Sequence, residues 1–96
     1  MAIKEIEAAV ARRKSDLEAL GVGSLELFGS AATGLESERS DLDFLVRFRG
    51  KATFDAYLDV KFLLEDLFDR RIDLVTDNAL RPEFRERVLR EAIRVA

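Results

Sequence analysis

A chain of 96 residues, 48% of them hydrophobic, has material for one small core and not for two. It contains no cysteine and no histidine, which excludes disulfides, thiolate or imidazole metal sites, a thiol nucleophile and His-based general bases. Its net charge of −3 argues against general nucleic-acid binding, which rests on neutralising phosphates, although residues 70–96 gather seven Arg against five acids, a mixture that reads first as a solvated helical face.

No apolar run reaches the ~18 residues of a membrane span, and the charged N-terminal stretch is unlike a signal peptide, so the expectation is a cytoplasmic protein. Ile3, Ile6, Val10, Leu17 and Leu20 recur at helical spacing and predict a helix over 3–20, stopped by Gly21. Residues 24–28 predict a short strand, ended by Gly29-Ser30. A short helix is expected around Ala31, Ala32 and Thr33, ending near Gly34, and the polar stretch Glu36 to Ser40 reads as a loop. Residues 42–48 alternate, with Leu42, Phe44, Val46 and Phe48 on one face of a second strand.

Residues 53–69 predict the longest helix, with a main stripe of Tyr57, Val60, Leu64, Leu67 and Phe68. Leu58 and Phe62 lie beside that stripe and either widen the core face or form a partner-facing patch. Residues 72–76 predict a third strand, and 82–94 a last helix with Pro82 in its first turn and Phe84, Val88, Ala92 and Val95 on its apolar side. The order α-β-α-β-α-β-α implies an α+β domain over 1–96, a small mixed sheet flanked by helices. The short link between the first two strands favours an antiparallel pair.

The aspartates carry the chemical signal. Asp41 and Asp43, two apart at the start of a strand, project from one face and precede a strongly apolar run. Two carboxylates ~4 Å apart repel by about 4 kcal/mol at an effective dielectric near 20, and a divalent cation would reverse the sign. With oxygen ligands only, the fitting ion is Mg²⁺, with Mn²⁺ as a substitute. Asp73 is again an acid inside an apolar run, and if the second and third strands are neighbours all three carboxylates converge, as phosphoryl transfer requires. The plainer reading makes Asp41 a turn residue and the other two solvent-facing alternation residues.

Gly29-Ser30 follows a strand and opens a short helix, where backbone N–H groups and a hydroxyl favour an anion; a simple N-cap by Ser30 is the bland alternative. Two better-known phosphate motifs fail. Gly29 and Gly34 have P-loop spacing, but Leu35-Glu36 stands where Lys-Ser/Thr is needed. Gly21-Val22-Gly23 precedes its strand, and Glu26 takes the place of the third Gly in a dinucleotide fingerprint.

Gly29-Ser30, ten intervening residues, then Asp41-x-Asp43 resembles the signature of the DNA polymerase β-like nucleotidyltransferase superfamily. The flanks Leu27-Phe28 and Phe44-Leu45-Val46, with Ile72-Asp73-Leu74-Val75-Thr76, look like its minimal prokaryotic branch, the MNT proteins, which pair with HEPN-domain toxins as antitoxins. The resemblance implies that Gly29 and Ser30 hold the triphosphate of ATP, and that Asp41 and Asp43 bind the metal ions. It implies that Asp73 completes the metal site and helps activate the attacking hydroxyl. It also implies transfer of AMP from ATP to a hydroxyl of a HEPN-type partner, a tyrosine in some members. Apart from the resemblance, the Leu58 and Phe62 patch leaves a homodimer of the isolated chain open as an alternative to the partner complex. One residue departs from the pattern: many members carry Arg just before the second Gly of the loop, where this chain has Thr33. Arg85, on or near the apolar side of the last helix, is the nucleotide-binding candidate to compensate, while Arg87, Arg90 and Arg94 are expected to face outward and a snorkelling surface role is the plainer one for Arg85. An antitoxin that works by binding alone, with idle acids, is the competing function.

Overall fold

In the computed structural model, which describes residues 2–33 and 41–96, a four-stranded mixed sheet in the order β3-β2-β1-β4 forms the centre of the fold. Strand β1 (Val22–Phe28) pairs antiparallel with β2 (Leu42–Phe48), as the short link between them implied, and β2 pairs parallel with β3 (Ile72–Thr76) through a helical crossover. The end of the short helix at Gly34 and the loop at Glu36 to Ser40 lie outside the described residues.

The expected helix over 3–20 is two helices, α1 (Ile3–Ala11) and α2 (Lys14–Ala19). The break falls on Arg12-Arg13-Lys14, where the apolar stripe skips a turn and no buried side chain holds the helix straight. Arg13 leaves helical dihedrals and its Nε binds Asp16 Oδ2 at 2.8 Å. Helix α3 (Ser30–Thr33) is a single turn. The long helix α4 (Phe54–Phe68) is capped by the Thr53 hydroxyl, which accepts from the Ala56 N–H, and buries Val60, Leu64 and Phe68 as its stripe predicts. The Tyr57 hydroxyl donates to the Leu74 carbonyl and ties α4 to β3.

The last helix is shorter than expected. Helix α5 spans Pro82–Glu91, after a 3₁₀ turn over Asp77–Ala79, and the chain then extends into β4 (Ile93–Arg94), a strand the helical reading of 82–94 passed over. Val95 is therefore not on a helical face. Its N–H donates to the Leu25 carbonyl, the Leu25 N–H donates to the Ala96 carbonyl, and Val95 is buried beside β1. Sheet pairing satisfies these backbone groups at the edge of β1, and the β-branched Ile93 and Val95 suit it better than another helical turn would.

Helices α1, α2 and α4 cover one sheet face. Ile6, Val10, Leu17, Val60, Leu64 and Phe68 pack there on Leu25, Leu27, Leu42, Phe44, Val46, Ile72 and Leu74. Phe44 and Phe68 stack with ring centroids 5.9 Å apart. The opposite face is built in rows fixed by strand register. One row is Glu26–Leu45–Val75 and the next is Phe28–Asp43–Asp73. Leu45 is fully buried on this second face, outside the main core. Helix α5 lies over this side yet has no buried residue of its own, and Phe84 is 52% exposed. Among the described residues no helix is long and apolar enough to cross a membrane.

Candidate active site

The site grows from the row Phe28–Asp43–Asp73. Period-two alternation in β2 sends Leu42 and Phe44 into the helical core and Asp43 to the other face. The parallel register of β2 and β3 then sets Asp43 beside Asp73, so Asp73 lies on the same sheet face as Asp43. The pair is close enough to share a hydrogen bond. The Asp43 carboxyl is pushed up from the usual 3.8 to about 6, chiefly by burial, then by the negative charge of Asp73, by the hydrogen bond to it, and last by the charge of Asp41.

Asp41 is exposed, one residue ahead of β2, and acts on Asp43 through its charge. Of the three carboxylates expected to converge, the structure brings Asp43 and Asp73 together, and Asp41 stands apart from the pair and reaches it by charge alone. Among the described residues no three acidic side chains are drawn together tightly enough to hold an ion by themselves.

Gly29 completes the centre. β1 ends at Phe28, and Gly29 turns the chain at φ +73 into Ser30 and α3. A Cβ at Gly29 would overlap Asp43 Oδ2 and lie 3.0 Å from its Cγ, so the carboxylate occupies the space that any other residue would fill. Gly29 is needed here for its missing side chain as well as for its backbone angle. Ser30 follows directly, which sets the turn against the acidic row. The Thr33 hydroxyl is turned back on this loop, 3.3 Å from the Gly29 carbonyl oxygen and 3.2 Å from that of Ser30. A hydroxyl turned onto its own loop supplies no cation there.

Beside this row opens a cleft of about 320 Å³ between the sheet and α5. Gly29 and Asp73 line it together with the apolar Phe28, Val75, Leu80, Phe84 and Val88. A larger hollow of about 610 Å³, bordered by Arg47, Lys51 and Asp77, holds none of the three aspartates, and the site is placed by its carboxylates rather than by volume.

Arg85 is engaged elsewhere. Its guanidinium binds Asp77, with Nη2 3.0 Å from Oδ1 and Nη1 donating to the carbonyl at 3.2 Å, and so staples α5 to the 3₁₀ turn. Arg87 is the arginine that lines the cleft, with its Nε 3.4 Å from Glu91 Oε1. Arg85, the expected candidate, does not line this cleft, whereas Arg87 does while staying 73% exposed, as its outward placing implied. Counting Ala92 and Val95 as helical swings the apolar arc toward Arg85. Once they belong to the extended segment, the remaining stripe is Phe84, Arg87, Val88 and Glu91 at i, i+3, i+4 and i+7. That spacing was available to find the cleft wall; the misread end of the helix hid it.

A glycine turn packed against paired aspartates on neighbouring strands is the equipment of a carboxylate-based phosphoryl-transfer protein. The chain belongs to the nucleotidyltransferase domain family, whose model matches residues 3–95. It is 33% identical to the protein adenylyltransferase MntA of Thermococcus cleftensis, over 99% of this chain and 97% of that protein. It superimposes on a solved structure provisionally described as a minimal nucleotidyltransferase with a TM-score of 0.83 at 38% identity, covering 97% of this chain and 95% of that one. At 16% identity and a TM-score of 0.59, covering 90% of this chain and 71% of the other, its fold also matches a chain from the structure of a tri-AMPylated Shewanella oneidensis HEPN toxin in complex with MNT antitoxin.

Proposed function

We propose that residues 1–96 work as one minimal nucleotidyltransferase domain that transfers AMP from ATP to a hydroxyl of a partner protein, and that the chain is thereby the cytoplasmic antitoxin of a HEPN-type toxin. The observation that carries this reading is the Asp43–Asp73 pair with Gly29, at the end of β1, packed against Asp43. The near full-length similarity to a protein adenylyltransferase supports the choice of AMP and of a protein acceptor.

The donor set fits Mg²⁺. It is all oxygen, and in the free protein Asp43 and Asp73 meet only by sharing a hydrogen bond, a place that a cation can take over from a proton. Asp41, Asp43 and Asp73 would hold the ion, with oxygens of the triphosphate completing its shell, in keeping with the lack of a ready three-acid cage among the described residues. The ion supplies charge neutralisation on the phosphates and the leaving group. The chain's own residues do the rest. Gly29 and Ser30 position the triphosphate through backbone N–H groups and a hydroxyl. The acceptor oxygen forms a bond to the α-phosphorus, the bond from that phosphorus to the bridging oxygen breaks, and pyrophosphate leaves with the electron pair. The acceptor proton passes to the Asp73 carboxylate.

The experiment is a transfer assay with α-labelled ATP, this chain and a HEPN-type partner, with and without Mg²⁺. Label on the partner only when the metal is present is the expected outcome. Equal ATP binding with and without Mg²⁺ by calorimetry would count against the mechanism. Toxin neutralisation that persists without any transfer would establish the binding-only antitoxin, the reading favoured by the missing cation at Thr33.

The partner surface is expected on α4. Phe54 is 72% exposed and Phe62 57%, and with the half-buried Leu58 they form a ridge at i, i+4 and i+8 outside the core stripe. Phe62→Glu is expected to abolish co-elution of the two proteins in size-exclusion chromatography with light scattering, with the fold kept because the residue is at the surface. A complex that survives this change would move the interface elsewhere, and the light scattering of the chain alone reads out whether it is a homodimer.

A further inference from the structure

We infer that Tyr57 is a positioning residue for the transfer: its hydroxyl, donated to the Leu74 carbonyl, holds β3 so that Asp73 stays beside Asp43. This rests on the transferase reading above and adds a residue of α4 that lines neither the cleft nor the phosphate turn.

Asp73 sits on a strand with one neighbour. The sheet order places β3 at an edge, paired with β2 alone. Across that pairing Asp43 and Asp73 are Cα partners, and their like charges push the strands apart when both are ionised and no cation lies between them. β2 is held on both sides, by β1 and by β3, so the strand free to yield is β3. Ile72 and Leu74 are buried in the helical core. Apolar contact has no preferred direction, however, and sets the depth of a strand better than its place in the sheet.

A hydrogen bond supplies the direction. The Arg71 carbonyl accepts from the Leu42 N–H, so by strand alternation the Leu74 carbonyl points the other way, to the open edge. Tyr57 meets it there. The bond falls on the residue next to Asp73, whereas the Arg85–Asp77 pair grips the chain beyond the end of the strand. The donor also stands on a firm base. Tyr57 lies in the first turn of α4, its N–H donates to the Thr53 carbonyl at 3.0 Å, and Val60, Leu64 and Phe68 anchor the same helix in the core. Its ring packs against that core. Phenylalanine would pack there equally well, so the hydroxyl is what tyrosine adds at this position.

The test is Tyr57→Phe in the intact chain, which keeps the ring and removes the bond. Reacting groups misplaced by about 1 Å lose ~10²-fold in rate, so kcat for AMP transfer to the partner should fall at least about tenfold. The KM for the partner and the ATP dissociation constant should stay within about twofold, because the change touches neither binding step. Hydrogen exchange reads the strand without any transfer. The amides of β3 should exchange at least about tenfold faster in the variant, and those that join β1 to β2 should keep their rates. Replacing Tyr57 by 4-aminophenylalanine keeps a donor on the ring and should restore both kcat and protection. An unchanged kcat in Tyr57→Phe overturns the proposal, and so does a raised KM at constant kcat. Faster exchange spread evenly over β1, β2 and β3 overturns it too, since that is a plain loss of stability. Selective loss of β3 protection, in a protein whose unaltered chain transfers no AMP, keeps the hold of Tyr57 on Asp73 and removes the transferase reading.

Discussion

Asp43→Asn is expected to lower AMP transfer by a factor on the order of 10² or more, while the metal-free protein becomes more stable at neutral pH. The two effects have one cause. Asp43 is partly buried beside Asp73 and feels the charge of Asp41, so its own charge is expensive without a cation and indispensable with one. Its carboxyl titrates near 6 in the folded chain against 3.8 when free, which means the folded state holds that proton more tightly than the unfolded state does. The stabilising contribution of the proton is therefore complete below about pH 3.8, declines as the pH rises, and is lost above about pH 6. Asn cannot ionise and escapes the loss. The group is half open to water, so screening brings the gain down to about 1 kcal/mol, or ~4–8 °C in Tm for a chain of this size. Thermal melts in a chelator at pH 7.5 should show the variant ahead, and melts near pH 4 should show the difference nearly closed. A variant that melts lower at both pH values would mean that Asp43 is held by favourable contacts and not by crowded charge.

Gly29→Ala is the second change with a large expected effect. The new methyl group would take the position of Asp43 Oδ2, and the backbone there is at φ +73, which L-residues with a Cβ rarely adopt. The backbone alone costs on the order of 1 kcal/mol. The displaced carboxylate adds the functional loss, at least about a hundredfold in transfer, similar to removing Asp43 outright. A double-mutant cycle separates the terms. With Asp43→Ala already in place there is no carboxylate to displace, so Gly29→Ala should then cost only the backbone strain, and the two changes should be non-additive in melts and in transfer. Additive effects would show that Gly29 serves the loop and not the aspartate.

The sequence exposed the site more fully than the frame around it. Acids inside apolar runs are visible without a structure because they break the strand pattern, and Asp43 and Asp73 fall in register as that break implied. The turn at Gly29 was legible from a glycine following a strand, yet the overlap with Asp43 was not, because it depends on two segments 14 residues apart meeting edge to edge. The core stripe of α4 followed from periodicity, since packing and helical spacing point the same way there. At both ends of the chain they diverge. The charged triplet at residues 12–14 broke a helix that the apolar repeat alone would carry through. At the C-terminal end, Ile93 and Val95 fit a helical count as well as a strand, and only the unpaired edge of β1 decides between them. That error also hid Arg87 as the arginine that lines the cleft.

The row Phe28–Asp43–Asp73 has a further consequence for how the molecule comes into being. Its three members lie on three strands, and the last pairing is a parallel one that has to wait for the α4 crossover to close. Parallel pairings between distant segments form late in folding, because loop closure is paid before contact rewards it. Catalytic competence is then one of the last properties the chain acquires. The exposed phenylalanines of α4 stand outside that row and do not depend on its last pairing.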